Sequence, residues 1–162
     1  MRAKKGHWVV VLGIALLLLI TVLFLVFRLN NTHDADVSQY VDLAKSTGLT
    51  LYETDDDKRY VFQAASAEDQ AIVLATYASP DGVITLTQQP KPVTDPFGST
   101  KPADSFATRI GNARIYPDDK GEPYVIIDAP LTWLIIRSPS EAVTSAKLKE
   151  FCLSLSQVPR SN

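Results

Sequence analysis

Residues 71–89 read Ala71-Ile72-Val73-Leu74-Ala75-Thr76-Tyr77-Ala78-Ser79-Pro80-Asp81-Gly82-Val83-Ile84-Thr85-Leu86-Thr87-Gln88-Gln89. Two runs rich in isoleucine, valine, threonine and tyrosine flank Pro80-Asp81-Gly82. Proline presets the first turn dihedral and glycine accepts positive φ, so the segment predicts an antiparallel hairpin. Upstream, Leu49–Glu53 and Arg59–Ala65 flank the polar cluster Thr54-Asp55-Asp56-Asp57-Lys58 and read as two more strands. Together these make a meander of about four antiparallel strands.

Downstream, Pro90, Pro92, Pro96 and Pro102 punctuate Gln89–Asp104. Proline lacks the N–H that a central strand or a helix needs, so this stretch is expected to be a long extended loop. It reads as a crossover between two halves of a sheet or as a partner-binding lip. Strand signals resume at Ser105–Ile110, Ala113–Tyr116, Tyr124–Asp128 and Leu131–Arg137, with Asp118-Asp119-Lys120-Gly121 as a turn. Both registers of Leu131–Ile136 are apolar, which predicts burial on both faces or a position under a helix.

Helical spacing appears at both ends of this region. Val37, Tyr40, Val41 and Ala44 share one face, with Asp34 or Asp36 to cap the start and Gly48 just past the end, which predicts a helix over about 36–46. Ser138-Pro139-Ser140-Glu141 has proline at a first-turn position and a serine–glutamate capping pattern, so it is expected to open a closing helix. Leu148, Phe151, Cys152 and Leu155 would form its buried stripe. The expected fold class is α+β: a curved antiparallel sheet flanked by an opening and a closing helix.

Ahead of this domain, Trp8–Phe27 is a 20-residue run without a charged side chain. As a helix it reaches roughly 30 Å, the thickness of a bilayer core. It ends in Phe27-Arg28-Leu29-Asn30, without the small-residue pattern of a cleavage site, and so is expected to be a retained anchor. Arg2, Lys4 and Lys5 precede it and only Arg28 comes closely after it, which predicts a cytoplasmic N-terminus and an extracytoplasmic C-terminal part. The expected organisation is a cytoplasmic tail at 1–7, an N-terminal transmembrane helix at 8–28, a linker at 29–35, the extracytoplasmic α+β domain at 36–157 and a disordered tail at 158–162. The expected location is the cell membrane, crossed once.

Charge and residue absences narrow the chemistry. All 18 acidic residues lie C-terminal to the apolar run, whereas Arg2, Lys4, Lys5 and Arg28 take four of the 16 basic ones, so the domain carries a net charge of about −6. No basic cluster offers a nucleic-acid footprint. The two histidines are His7 and His33, both outside the domain. That removes His-based triads, Cys–His pairs and His metal sites from within it. No Gly-rich phosphate loop and no C-x-x-C occurs. Cys152 is the single cysteine, either a small buried hydrophobe or a free thiol. The contiguous Asp55-Asp56-Asp57 departs from the alternate spacing of a calcium loop and reads as a solvated turn. No catalytic residue, cofactor site or metal site is expected.

Aromatic residues supply the one candidate surface. Tyr52, Tyr60, Phe62 and Tyr77 fall on neighbouring predicted strands, and Trp133 on a later one. Facing the concave side of the sheet, they would line an apolar groove for a lipid, peptide or glycan chain. Facing the helices, they would instead fill an ordinary core.

The stretch Thr108-Arg109-Ile110-Gly111-Asn112-Ala113-Arg114-Ile115-Tyr116, then Leu131-Thr132-Trp133-Leu134-Ile135-Ile136 and the helix running to Leu155, resembles a strand–turn–strand–helix ending. It is the ending of uncharacterised membrane-anchored members of the lipoprotein-carrier-like and envelope-stress-sensor superfamily. With the opening helix and intervening loop, the resemblance covers the external domain and implies a curved sheet closed by helices. It carries over no functional residue. The expected function is a non-catalytic binding or accessory module of the cell envelope, tethered through residues 8–28 and acting on an envelope protein partner or an apolar ligand. The alternative is a structural subunit of a membrane or secretion assembly.

Overall fold

Nine strands and two helices make up the computed structural model, which describes residues 39–68, 71–117 and 122–159. The described chain begins with helix α1 over residues 39–47, which Gly48 closes by donating its N–H to the Ala44 carbonyl at 3.0 Å. Strands β1 (Tyr52–Thr54), β2 (Val61–Glu68), β3 (Ile72–Ser79) and β4 (Gly82–Pro90) come next. After the proline-rich crossover come β5 (Asp104–Thr108), β6 (Gly111–Pro117), β7 (Pro123–Asp128) and β8 (Thr132–Arg137), then helix α2 (Ser145–Leu153) and β9 (Leu155–Gln157). The predicted anchor, the tail at 1–7 and the linker lie outside the described residues. No helix among the described residues is long and apolar enough to cross a membrane.

Seven strands form one antiparallel sheet in the order β2-β3-β4-β8-β7-β6-β5. It is two meanders joined at β4 and β8, with Leu86 opposite Ile136 and Gln88 opposite Leu134. Side chains alternate across the pleat. The inner face carries Val73, Ala75, Tyr77, Ile84, Leu86, Ile115, Val125, Ile127, Leu134 and Ile136, and packs against Leu148, Phe151 and Cys152 of α2 and Tyr40 of α1. The α+β class and the antiparallel sheet with two helices are therefore the architecture of the described chain.

Two hairpin turns, β3–β4 and β5–β6, are closed by the same hydroxyl lock. Ser79 Oγ donates to the Gly82 carbonyl, and Thr108 Oγ1 to that of Gly111, each at 2.7 Å. Gly82 (φ 138°) and Gly111 (φ 153°) hold backbone conformations that a side chain resists, and a Cβ at either would collide, with Ser140 and with the Asp128 carbonyl respectively. The strand expected to run to Ile110 therefore ends at Thr108, because Arg109 and Ile110 are the turn.

Several expectations are corrected by long-range pairing. The segment 49–53 does not pair with β2; β1 pairs with β9 in a separate two-stranded sheet, Tyr52 opposite Gln157. The cause is Gln88, fully buried on β4. Its Oε1 accepts from the Tyr52 N–H at 2.7 Å and its Nε2 donates to the Tyr52 carbonyl at 3.0 Å, so a side chain replaces a neighbouring strand. Thr132 Oγ1 donates to the Thr50 carbonyl at 2.8 Å and fixes the same segment from β8. Leu155, expected on the helical stripe, is buried but belongs to β9. Order also continues past Gln157: Val158 is 3% exposed and its N–H donates to the Leu51 carbonyl at 2.9 Å.

The closing helix starts at Ser145, not at the serine–glutamate pattern of Ser138–Glu141. Ser138 Oγ donates to the Val83 carbonyl at 2.7 Å and Ser140 Oγ to the Asp81 carbonyl at 2.9 Å. These bonds tie the segment to the β3–β4 hairpin and draw Val143 into the core, so tertiary partners outcompete the local cap.

Gln88→Leu is expected to lower the unfolding free energy of the chain by about 2–4 kcal/mol, because it strands a buried N–H and a buried carbonyl at Tyr52 that cost roughly 1–3 kcal/mol each. Thr132→Val, which removes the one hydrogen bond to the Thr50 carbonyl from β8, should cost less. Chemical denaturation of the two variants beside the parent checks the order.

Candidate binding face

The outer face of the second meander is apolar where a solvent-facing sheet would be polar. Arg114 and Tyr116 on β6, Tyr124 and Ile126 on β7, and Trp133 on β8 all point away from the main core. Register places Tyr116 opposite Tyr124, and their rings stack at 5.6 Å with 22° between planes. Tyr116, Tyr124, Ile126 and Trp133 form a second buried cluster with Phe97 packed on it.

Topology explains how Phe97 arrives there. The crossover leaves β4 in the middle of the sheet and enters β5 at its edge, across β8, β7 and β6. Four strand spacings are about 19 Å, whereas residues 91–103 extend to about 40 Å. The inner face is already filled by the helices, so the slack lies diagonally over the outer face as a strap.

Three contacts hold the strap. Lys91 Nζ meets Asp128 Oδ1 at 2.6 Å at its start. In its middle, Arg114 Nη1 donates to Asp95 Oδ2 at 2.7 Å while Asp95 Oδ1 accepts from the Phe97 N–H at 2.8 Å. The Phe97 ring then lies 5.6 Å from Tyr116, 5.9 Å from Tyr124 and 5.7 Å from Trp133, all tilted, within the range in which aromatic pairs attract. Guanidinium groups rim the bed: Arg137 sits 5.0 Å over the Tyr124 ring and Arg114 5.9 Å over the Tyr116 ring. The Tyr116 hydroxyl is buried without a hydrogen-bond partner among the described residues.

The five aromatic residues singled out in the sequence are divided between the two faces. Tyr52, Tyr60 and Tyr77 are buried in the main core and Phe62 packs against it. Phe62 meets Tyr40 at 5.3 Å and Tyr77 at 5.7 Å, and Phe151 of α2 meets Tyr60 at 4.9 Å. The Tyr40 and Tyr77 hydroxyls hydrogen-bond to each other at 2.9 Å beneath α1. Burial holds both hydroxyls above the ordinary phenol range, so they stay neutral. Trp133 stands apart, on the opposite side of the sheet. Sequence reasoning missed Phe97, Tyr116 and Tyr124. Their one available signal was Asp95-Pro96-Phe97-Gly98, an aspartate turn carrying an aromatic inside an otherwise polar loop.

Asp56 Oδ1 accepts from the Arg59 N–H at 3.2 Å within the acidic turn, and Asp55 Oδ2 accepts from Arg109 Nη2 at 2.6 Å. Among the described residues no three His, Cys, Asp or Glu side chains gather as a metal set would. Cys152 is fully buried, and burial pushes its thiol well above the ordinary range. No protein-family model matches the chain, and neither the curated proteins nor the solved structures contain a match to it.

These environments have measurable consequences. Cys152 is expected to resist a thiol-specific reagent in the folded chain and to react only on unfolding, as a timed labelling assay would show. The hydrogen bond from Arg114, then that from the Phe97 N–H, holds the Asp95 carboxyl below the ordinary aspartate value of about 3.9. The stabilisation it gives the strap is complete above that value and is lost as pH falls through the depressed one. An NMR carboxyl titration should place the Asp95 midpoint below that of an exposed aspartate, and Arg114→Gln should raise it.

Proposed function

We propose that this chain is a membrane-tethered, non-catalytic accessory module of the cell envelope that works through protein contacts on its extracytoplasmic domain. The carrying observation is the aromatic bed on the outer sheet face, a surface of Tyr116, Tyr124 and Trp133 covered by a loop rather than by the main core. The tether rests on the uncharged run Trp8–Phe27 and on the basic residues ahead of it. The absence of histidine after His33 in the sequence supports a non-catalytic reading. Between a protein partner and an apolar ligand, the burial of Tyr52, Tyr60 and Tyr77 favours the protein, because those rings pack against the helices and core instead of lining a channel. The same packing is compatible with the second reading, a structural subunit of a membrane or secretion assembly. The resemblance to envelope sensor and carrier domains agrees with both.

Topology is the first test. Ser99 is exposed on the strap and Cys152 is buried, so a Ser99→Cys variant offers one reactive thiol. A membrane-impermeant maleimide is expected to label it in intact cells. Labelling only after lysis would put the domain in the cytoplasm and end the envelope reading. Chain purified in mild detergent is expected to carry no stoichiometric lipid by mass spectrometry; a bound lipid would return the argument to an apolar ligand.

A further inference from the structure

We propose that the bed of Tyr116, Tyr124 and Trp133 is a recognition site for a peptide segment of a partner protein. That segment carries an acidic residue two positions before an aromatic one, and Asp95–Phe97 holds the site closed in cis. The inference deepens the protein-contact reading and rests on it.

The chemistry of the partner is read from the present occupant. Besides Lys91 on Asp128 at its start, two groups in the middle of the strap engage the face, the Asp95 carboxylate on Arg114 and the Phe97 ring among three aromatic rings, with one residue between them. A replacement segment must offer the same pair at the same spacing. Charge agrees with this: the domain as a whole is acidic, yet Arg114 and Arg137 put two guanidinium groups over the bed. These two guanidinium groups favour an acidic segment at this patch.

The strap itself is lightly held. Thr94, Asp95, Pro96, Gly98, Ser99 and Thr100 are exposed, and Val93 is exposed completely. Its ion pairs are partly exposed and screened by salt, and such pairs contribute little. The surplus length of residues 91–103 lets it lift without moving β4 or β5. Beneath it, the Tyr116 hydroxyl is buried with no partner among the described residues, an unmet hydrogen bond that a suitable segment would satisfy and the strap does not. A second copy of this chain would bring the same strap, but on a domain of like charge, so a partner of other origin fits better.

The test uses the full chain in detergent micelles and, as probe, a fluorescent peptide with the sequence of Thr94–Thr100. Phe97→Ala empties the bed and should bind the peptide at least tenfold more tightly than the parent, in which the tethered strap competes at high effective concentration. Adding Trp133→Ala should abolish that binding. Adding Arg114→Gln, which leaves the aromatic rings in place, should weaken it several-fold with an unchanged circular dichroism spectrum. Peptides carrying Asp95→Asn or Phe97→Ala should bind more weakly. Equal binding by parent and Phe97→Ala, or no binding by a folded Phe97→Ala chain, would overturn the proposal. So would indifference to the peptide's aspartate and phenylalanine. A concentration-dependent dimer of the parent that Phe97→Ala dissolves would also overturn it, assigning the bed to a second copy. None of these readouts depends on membrane orientation, so their failure and the failure of the envelope reading are distinguishable.

Discussion

The carboxamide of Gln88 sits at zero exposure in the middle of the sheet and holds both polar groups of the Tyr52 backbone. A buried peptide group without partners is costly, and on the side of Tyr52 that faces β4 no strand supplies them. One side chain does so instead. That bond, with Thr132 on the Thr50 carbonyl, lays residues 50–52 against the core. The fixed segment then templates β9, which brings Leu155 and Val158 into the interior behind α2. The N-terminal and C-terminal parts of the domain thus meet through a glutamine on β4. A neutral donor–acceptor is required there, since a carboxylate could not donate to the Tyr52 carbonyl and would bear a buried charge.

A second constraint is topological. Joining two meanders at β4 and β8 puts the entry to the second meander at the far edge, so the connecting loop must cross three strands. The helices occupy the inner side. The loop is therefore pressed onto the outer face, and that face answers with aromatic rings and an arginine where an uncovered sheet would carry polar groups. This gives Leu131–Ile136 its doubly apolar character: Leu134 and Ile136 face the main core, while Trp133 lies under Phe97.

Much of the fold was legible along the chain. The Ala71–Gln89 hairpin, the strands of the second meander and the opening helix closed at Gly48 are specified by turn chemistry and periodicity, which act over a few residues. The pairing of Tyr52 with Gln157 was not, because its partners are about a hundred positions apart and the hydrogen bonds that choose it come from Gln88 and Thr132. The start of α2 was misread for a related reason: a local capping pattern at Ser138–Glu141 is consistent with a helix, but the Val83 and Asp81 carbonyls recruit its hydroxyls first. The candidate face was the least legible. Tyr116 and Tyr124 look like ordinary strand residues, and Phe97 is one aromatic in a proline-rich loop.

By itself the sequence determined the α+β class, the apolar run of Trp8–Phe27, the acidic balance of the domain after it and the lack of histidine in that domain. These are properties of composition and short-range order, which need no knowledge of what meets what. Tertiary structure alone decided which aromatic rings share a face. Alternation along a strand separates two sides but does not say which side a helix or a loop will cover. That choice depends on strand order, and strand order is set by contacts between residues distant in the chain.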